Sequence, residues 1–241
     1  MSEFNHVKIR NKTHRLINSA YPPKGLFDAL VDDEDELRVL FELEMATNPR
    51  NNPALGRLAH IPNEGIVTGD TANMIMAAFV HSNDDGGRFN DGRLGAWYGS
   101  LDVLTSIEET VYHLQKRLEK SEGGFPQQIQ MRELIASINE PLIDLCGGRQ
   151  TRPELYDDHD YSSSQEFANN LRWPFDRNHD GLGEGGFRYD SVRRDGGVNV
   201  CVFKPGAIDR PITQGGHYQY DWNGAGEVNV VKLNPVKRAE A

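Results

Sequence analysis

One apolar stripe constrains this chain most. Ile107, Val111, Leu114 and Leu118 stand at i, i+4, i+7 and i+11, which is a single face of an α-helix and predicts one over residues 105–120. A helix with one apolar face must cover a sheet or another helix, and sheet-forming segments flank it. Residues 94–100 read as a strand just before it, and residues 198–203, VNVCVF, are rich in the β-branched and apolar side chains of a central strand. Residues 128–138 and 227–233 read as further strands, and residues 163–173 as a short helix stopped by Pro174. Residues 26–45 read as a helix on the spacing of Leu37, Leu40, Phe41 and Glu44, followed by a loop at 48–62. The run at 74–80 is apolar throughout, so periodicity leaves strand and helix open. These elements show no regular βαβ rhythm, which points to an α+β fold over a doubly wound sheet. A length of 241 residues suits one domain with extensions.

Charge and cysteine content narrow the partners. Thirty-six acidic residues against 26 basic ones give a formal net charge of −10, which repels a phosphate backbone and argues against direct nucleic-acid binding. Cys146 and Cys201 belong to no CxxC pair, fitting free thiols in a reducing compartment. Residues 1–15 are polar and charged, without a signal-peptide apolar core, and no stretch reaches the ~20 apolar residues of a membrane helix. A cytoplasmic protein that binds no membrane is the expectation.

The segment RFNDGRLGAWYGSLDVLTSIEETVYHL, residues 88–114, carries the chemistry. A glycine-rich loop brings Arg88, the strand Tyr98 and the start of the helix Glu109. An arginine, an aromatic ring and a carboxylate suit a substrate with phosphates, a planar base and a developing positive charge. Each has a plainer role open to it. Arg88 can be a solvated loop residue, and Tyr98 a core residue with its hydroxyl at the edge. Glu109 can close a capping box, since residues 106–109 match S-x-x-E. Arg93 rivals Arg88 on the same loop, and His113 shares the helix face of Glu109. In the second segment, GGFRYDSVRRDGGVNVCVF, Ser191 precedes the apolar strand with no G-x-S-x-G elbow around it, which argues against a serine-hydrolase nucleophile.

These two segments resemble the RES domain family, named for its Arg, Glu and Ser. In the family pattern a tyrosine follows the arginine by ten residues, a glutamate follows by eleven more, and a serine lies downstream. Here Arg88 to Tyr98 is ten, Tyr98 to Glu109 is eleven, and Ser191 follows in YDSVR. HRLINSAYPPKGLFDAL, EETVYH, DDHDYSSSQ and the segment at 214–222 are also similar, so the likeness runs over residues 13–222, with 1–12 and 223–241 as terminal extensions. The resemblance implies a single domain with a split, twisted sheet like that of ADP-ribosyltransferases. It implies NAD as substrate and Arg88, Tyr98, Glu109 and Ser191 as the catalytic and NAD-binding set. It also implies a toxin of a toxin–antitoxin pair, degrading NAD with water or phosphate as acceptor and held by an Xre-like antitoxin. A mono-ADP-ribosyltransferase acting on a protein is the alternative, and an inactive interaction protein of the same fold the non-enzymatic one.

The chemistry is consistent with such residues. Nicotinamide is a cationic leaving group in NAD and departs neutral, so the paired carboxylates of glycoside hydrolysis are not required. One carboxylate, Glu109, facing the oxocarbenium-like ribose suffices. Arg88 would grip the pyrophosphate through its planar fork, Tyr98 would stack on or shape the nicotinamide pocket, and Ser191 would orient the substrate. No metal is required. Residues 176–187 imitate the start of an EF-hand loop with Asp176, Asn178, Asp180 and Gly181. Phe187 occupies the position of the bidentate glutamate, so a surface loop is expected there.

Overall fold

The computed structural model describes residues 4–20, 57, 60–173 and 183–234. The helix expected at 26–45, most of the loop at 48–62 and the acidic stretch at 176–182 lie outside these residues. Strands β1 (His6–Val7), β2 (Thr13–Asn18), β3 (Trp97–Ser100), β4 (Gln127–Ala136), β5 (Leu142–Asp144), β6 (Gly186–Asp190), β7 (Val198–Val202), β8 (Thr213–Trp222) and β9 (Val228–Leu233) form one sheet. Their order is β1-β5-β6-β7-β3-β2-β4-β8-β9. Only β5 and β6 run parallel. Among the described residues three α-helices accompany it: α1 (Ala72–Val80), α2 (Val103–Glu119) and α3 (Ser162–Asn169). The expected α+β class is thus observed.

Hydrophobic patterning sets the two layers. Side chains alternate across a strand, so Trp97, Leu134, Val200 and Val202 face one way and pack on Ile75, Met76 and Phe79 of α1. Leu16, Met131, Tyr218 and Tyr220 face the other way and take the predicted stripe of α2, Ile107, Leu114 and Leu118. On that same side Phe187, Cys201 and Phe203 join Phe89 and Ala168 of α3 in a further cluster. The segment at 74–80 is therefore helix: it is apolar because it is buried, with Phe79 and Val80 fully covered. Helix α2 starts at Asp102, whose carboxylate accepts from the Thr105 N–H at 2.9 Å and the Thr105 hydroxyl at 2.7 Å. The capping box at 106–109 is therefore not used, and Glu109 is left free of any capping role.

The sheet is split between β2 and β3. Strand β2 pairs with β4 through six residue pairs but with β3 only at His14–Ser100. Beyond that point the Arg15 guanidinium takes over from the ladder, donating to the Tyr98 carbonyl at 3.0 Å and lying 5.1 Å from the centre of the Trp97 ring. A covered carbonyl without a strand partner is costly, so this half-buried arginine is what lets the two half-sheets part.

Candidate active site

A cavity of about 380 Å³ opens along the split. Among the described residues its charged lining is Arg15, Arg88, Arg117 and Glu109, with His14, His81 and His113 beside them. Three guanidinium groups against one carboxylate make this described lining anion-attracting in a protein of net charge −10. Burial pushes the Arg15 guanidinium down to about 10, which still leaves it charged near neutrality.

Glu109 stands at the centre of a relay. Its Oε1 accepts from the Ser191 hydroxyl at 2.7 Å and from Asn199 Nδ2 at 2.6 Å. Asn199 is fixed in turn because its Oδ1 accepts from the Ser100 hydroxyl at 2.7 Å. Ser191 is 1 % exposed, and its Oγ also accepts the N–H groups of Arg193 and Arg194, both at 3.1 Å. Ser191 therefore lies behind Glu109 and does not line the cavity. In this structure the hydroxyl is committed to the carboxylate and to a backbone turn, where an orienting contact with substrate was the expectation.

Arg88 and Tyr98 line the cavity opposite. The Arg88 guanidinium donates to the Leu155 carbonyl at 2.9 Å and lies 4.6 Å from the centre of the Tyr161 ring. Its backbone carbonyl accepts from the buried Ser164 hydroxyl at 2.7 Å, so α3 holds the loop that carries it. The Tyr98 hydroxyl accepts from the Phe89 N–H at 2.9 Å and donates to Asn90 Oδ1 at 2.8 Å. A methyl group on Gly87 would sit 2.9 Å from that hydroxyl, so the glycine is what allows the loop to close this tightly. Burial holds Tyr98 and Tyr189 well above the ordinary phenol range, so both stay protonated. Arg93, the rival arginine, points away: its side chain is 70 % exposed and paired with Asp91 at 2.7 Å.

His113 lines the cavity one turn after Glu109. Burial lowers its imidazole below the ordinary value, Glu109 pulls the other way, and Arg193 and Arg88 add to the depression. It is neutral near pH 7. Sequence reasoning passed over Arg15, Tyr161 and Asn199. Asn199 carried a readable signal, being the one polar residue inside the apolar run VNVCV.

The RES domain matches residues 65–223. The "Uncharacterized protein y4oC" of Sinorhizobium fredii (strain NBRC 101917 / NGR234) is 30% identical over 220 residues, covering 90% of this chain and 86% of the relative. The solved M. tuberculosis MbcT–MbcA toxin–antitoxin complex resembles this chain at 12% identity and a TM-score of 0.41, over 95% of this chain and 86% of that one. The chain belongs to the RES domain family.

Proposed function

We propose that this protein cleaves the bond between nicotinamide and ribose in NAD, passing the ADP-ribosyl group to water or phosphate. The observation that carries the reading is Glu109, the one carboxylate among the described lining residues, gripped on one oxygen by Ser191 and Asn199 and accompanied there by three arginines. With Oε1 saturated by neutral donors, Glu109 presents a fixed negative charge, which is what a developing oxocarbenium ion needs. Arg15, Arg88 and Arg117 supply the complement to a pyrophosphate, and Tyr161 and Tyr98 give aromatic walls. Tyr98 acts by clamping the loop of Arg88. A cavity of about 380 Å³ falls within the range of small-molecule sites. The likeness of the family to ADP-ribosyltransferases and its role as a toxin with an Xre-like antitoxin complete the reading, and both rest on the family resemblance.

Incubating the purified protein with NAD and EDTA, with and without phosphate, and separating the products tests it. ADP-ribose or its 1″-phosphate is expected. Label carried only on protein would transfer support to the mono-ADP-ribosyltransferase alternative.

The two arginines give a second check. Arg88→Lys keeps the charge but loses the planar fork, and NAD affinity is expected to weaken by about 10- to 100-fold, the worth of a hydrogen bond to a charged group. Arg93→Lys is expected to leave it unchanged, since Arg93 is exposed and paired with Asp91. Calorimetric titration with NAD reads both, and the opposite pattern would assign the phosphate grip to Arg93.

A further inference from the structure

We propose that His14 is the base that takes the proton from the acceptor water, with Glu133 holding its imidazole; this rests on the NAD-cleaving reading above. His14 Nδ1 lies 2.5 Å from Glu133 Oε1. The pair is largely covered, with side chains 22 % and 7 % exposed. Glu133 is itself fixed, its Oε2 accepting the Gly216 N–H at 2.7 Å and the Tyr218 hydroxyl at 3.5 Å. A Cβ at Gly215 would collide with that carboxylate, so the glycine of β8 makes room for the pair. A carboxylate on Nδ1 selects the tautomer with its proton there, leaving the lone pair on Nε2.

The placement connects this dyad to Glu109. His14 lines the cavity and is the residue of β2 that pairs with Ser100, so the two side chains share a face of the sheet at neighbour distance. Ser100 binds Asn199, and Asn199 binds Glu109. Ser106, one turn before Glu109 on α2, donates its hydroxyl to the His14 carbonyl at 2.6 Å. Other described groups along the cavity are needed elsewhere or resist the exchange of a proton. Glu109 is needed as an anion facing the ribose. Gaining a proton at His113 is opposed by burial and by Arg193 and Arg88, which together outweigh the pull of Glu109. Tyr98 and Tyr189 stay protonated, and His81 is exposed.

In the step proposed, the C1′–N bond breaks and its electron pair leaves with nicotinamide. A water oxygen forms the C1′–O bond, and the water proton passes to His14 Nε2, where Glu133 stabilises the imidazolium. The products are ADP-ribose, nicotinamide and one proton later released to solvent.

His14→Asn keeps an N–H donor for Glu133 but removes the base. In phosphate-free buffer its rate of nicotinamide release is expected to fall about a hundredfold or more. Azide is an anionic nucleophile that needs no deprotonation, so adding it should restore turnover and give an azido-ADP-ribose product. A merely structural role would show no such rescue. Glu133→Gln should lose less and be rescued in the same way, and it carries the test if His14→Asn fails to fold. Parental hydrolysis by the variants, a loss that azide does not repair, or a parent that cleaves NAD only when phosphate is present would overturn the assignment of His14. A parent that does not cleave NAD at all refutes the functional reading itself, a distinguishable failure.

Discussion

Glu109→Gln is expected to fold like the parent, bind NAD and cleave it at least about a hundredfold more slowly, the usual cost of removing one electrostatic contact to a transition state. The geometry makes the substitution clean. Ser191 and Asn199 both donate to Oε1, so the glutamine oxygen takes that place and its amide nitrogen replaces Oε2. Shape and hydrogen bonds persist while the charge is lost. Stability should hardly change, because Asp102 caps α2 and Glu109 does not. Glu108 is exposed on the same helix and serves as the control: Glu108→Gln should keep parental activity. Loss of cleavage in Glu108→Gln with retention in Glu109→Gln would mean that the wrong carboxylate has been assigned.

The second large effect is expected at Ser191. Ser191→Ala removes one of the two donors holding Glu109 and leaves the N–H groups of Arg193 and Arg194 without their acceptor. A hydrogen bond to a charged group contributes about 1.5–3 kcal/mol, so kcat should fall roughly 10- to 100-fold. Ser191 lies behind the carboxylate and outside the cavity lining, so the dissociation constant for NAD should stay near that of the parent. A weakened NAD affinity with kcat unchanged would instead place the serine against the substrate.

Much of this architecture was legible in the sequence where burial is one-sided. The stripe of α2 could be read because one of its faces meets the sheet, whereas VNVCV, covered at nearly every position, was read from its β-branched side chains. Where both faces are buried, as at 72–80, periodicity vanishes and composition alone cannot separate helix from strand. Strands β2 and β8 failed for the opposite reason. THRLIN and TQGGHYQYDW carry polar side chains at positions that face the split or solvent, which hides their alternation. Helix α3 ends at Asn169, short of the expected 173, because Arg172 leaves the helical path to donate to the Leu94 and Gly95 carbonyls at 3.0 and 2.8 Å. The strand expected over 227–233 is present as Val228–Leu233, but it is the sheet edge and half open to solvent.

The resemblance offered four candidate residues for the site, but not the contacts among them. Spacing brought Arg88, Tyr98 and Glu109 together because a loop, a strand and a helix start follow each other directly. Spacing does not show that Ser191 faces the carboxylate, that the Tyr98 hydroxyl ties down the loop of Arg88, or that S-x-x-E at 106–109 lies inside the helix. Those depend on which hydroxyl meets which partner across elements distant in sequence. Arg15 is 73 residues before Arg88, and only the split of the sheet makes them line one cleft.

Release of free nicotinamide, followed over time with purified protein, NAD in excess and no partner protein present, tests the central claim most directly. Many equivalents of nicotinamide per protein molecule from the parent, with the rate all but lost in Glu109→Gln, is the result expected. NAD remaining intact through long incubation with the parent at high protein concentration, in the presence of phosphate, would contradict it.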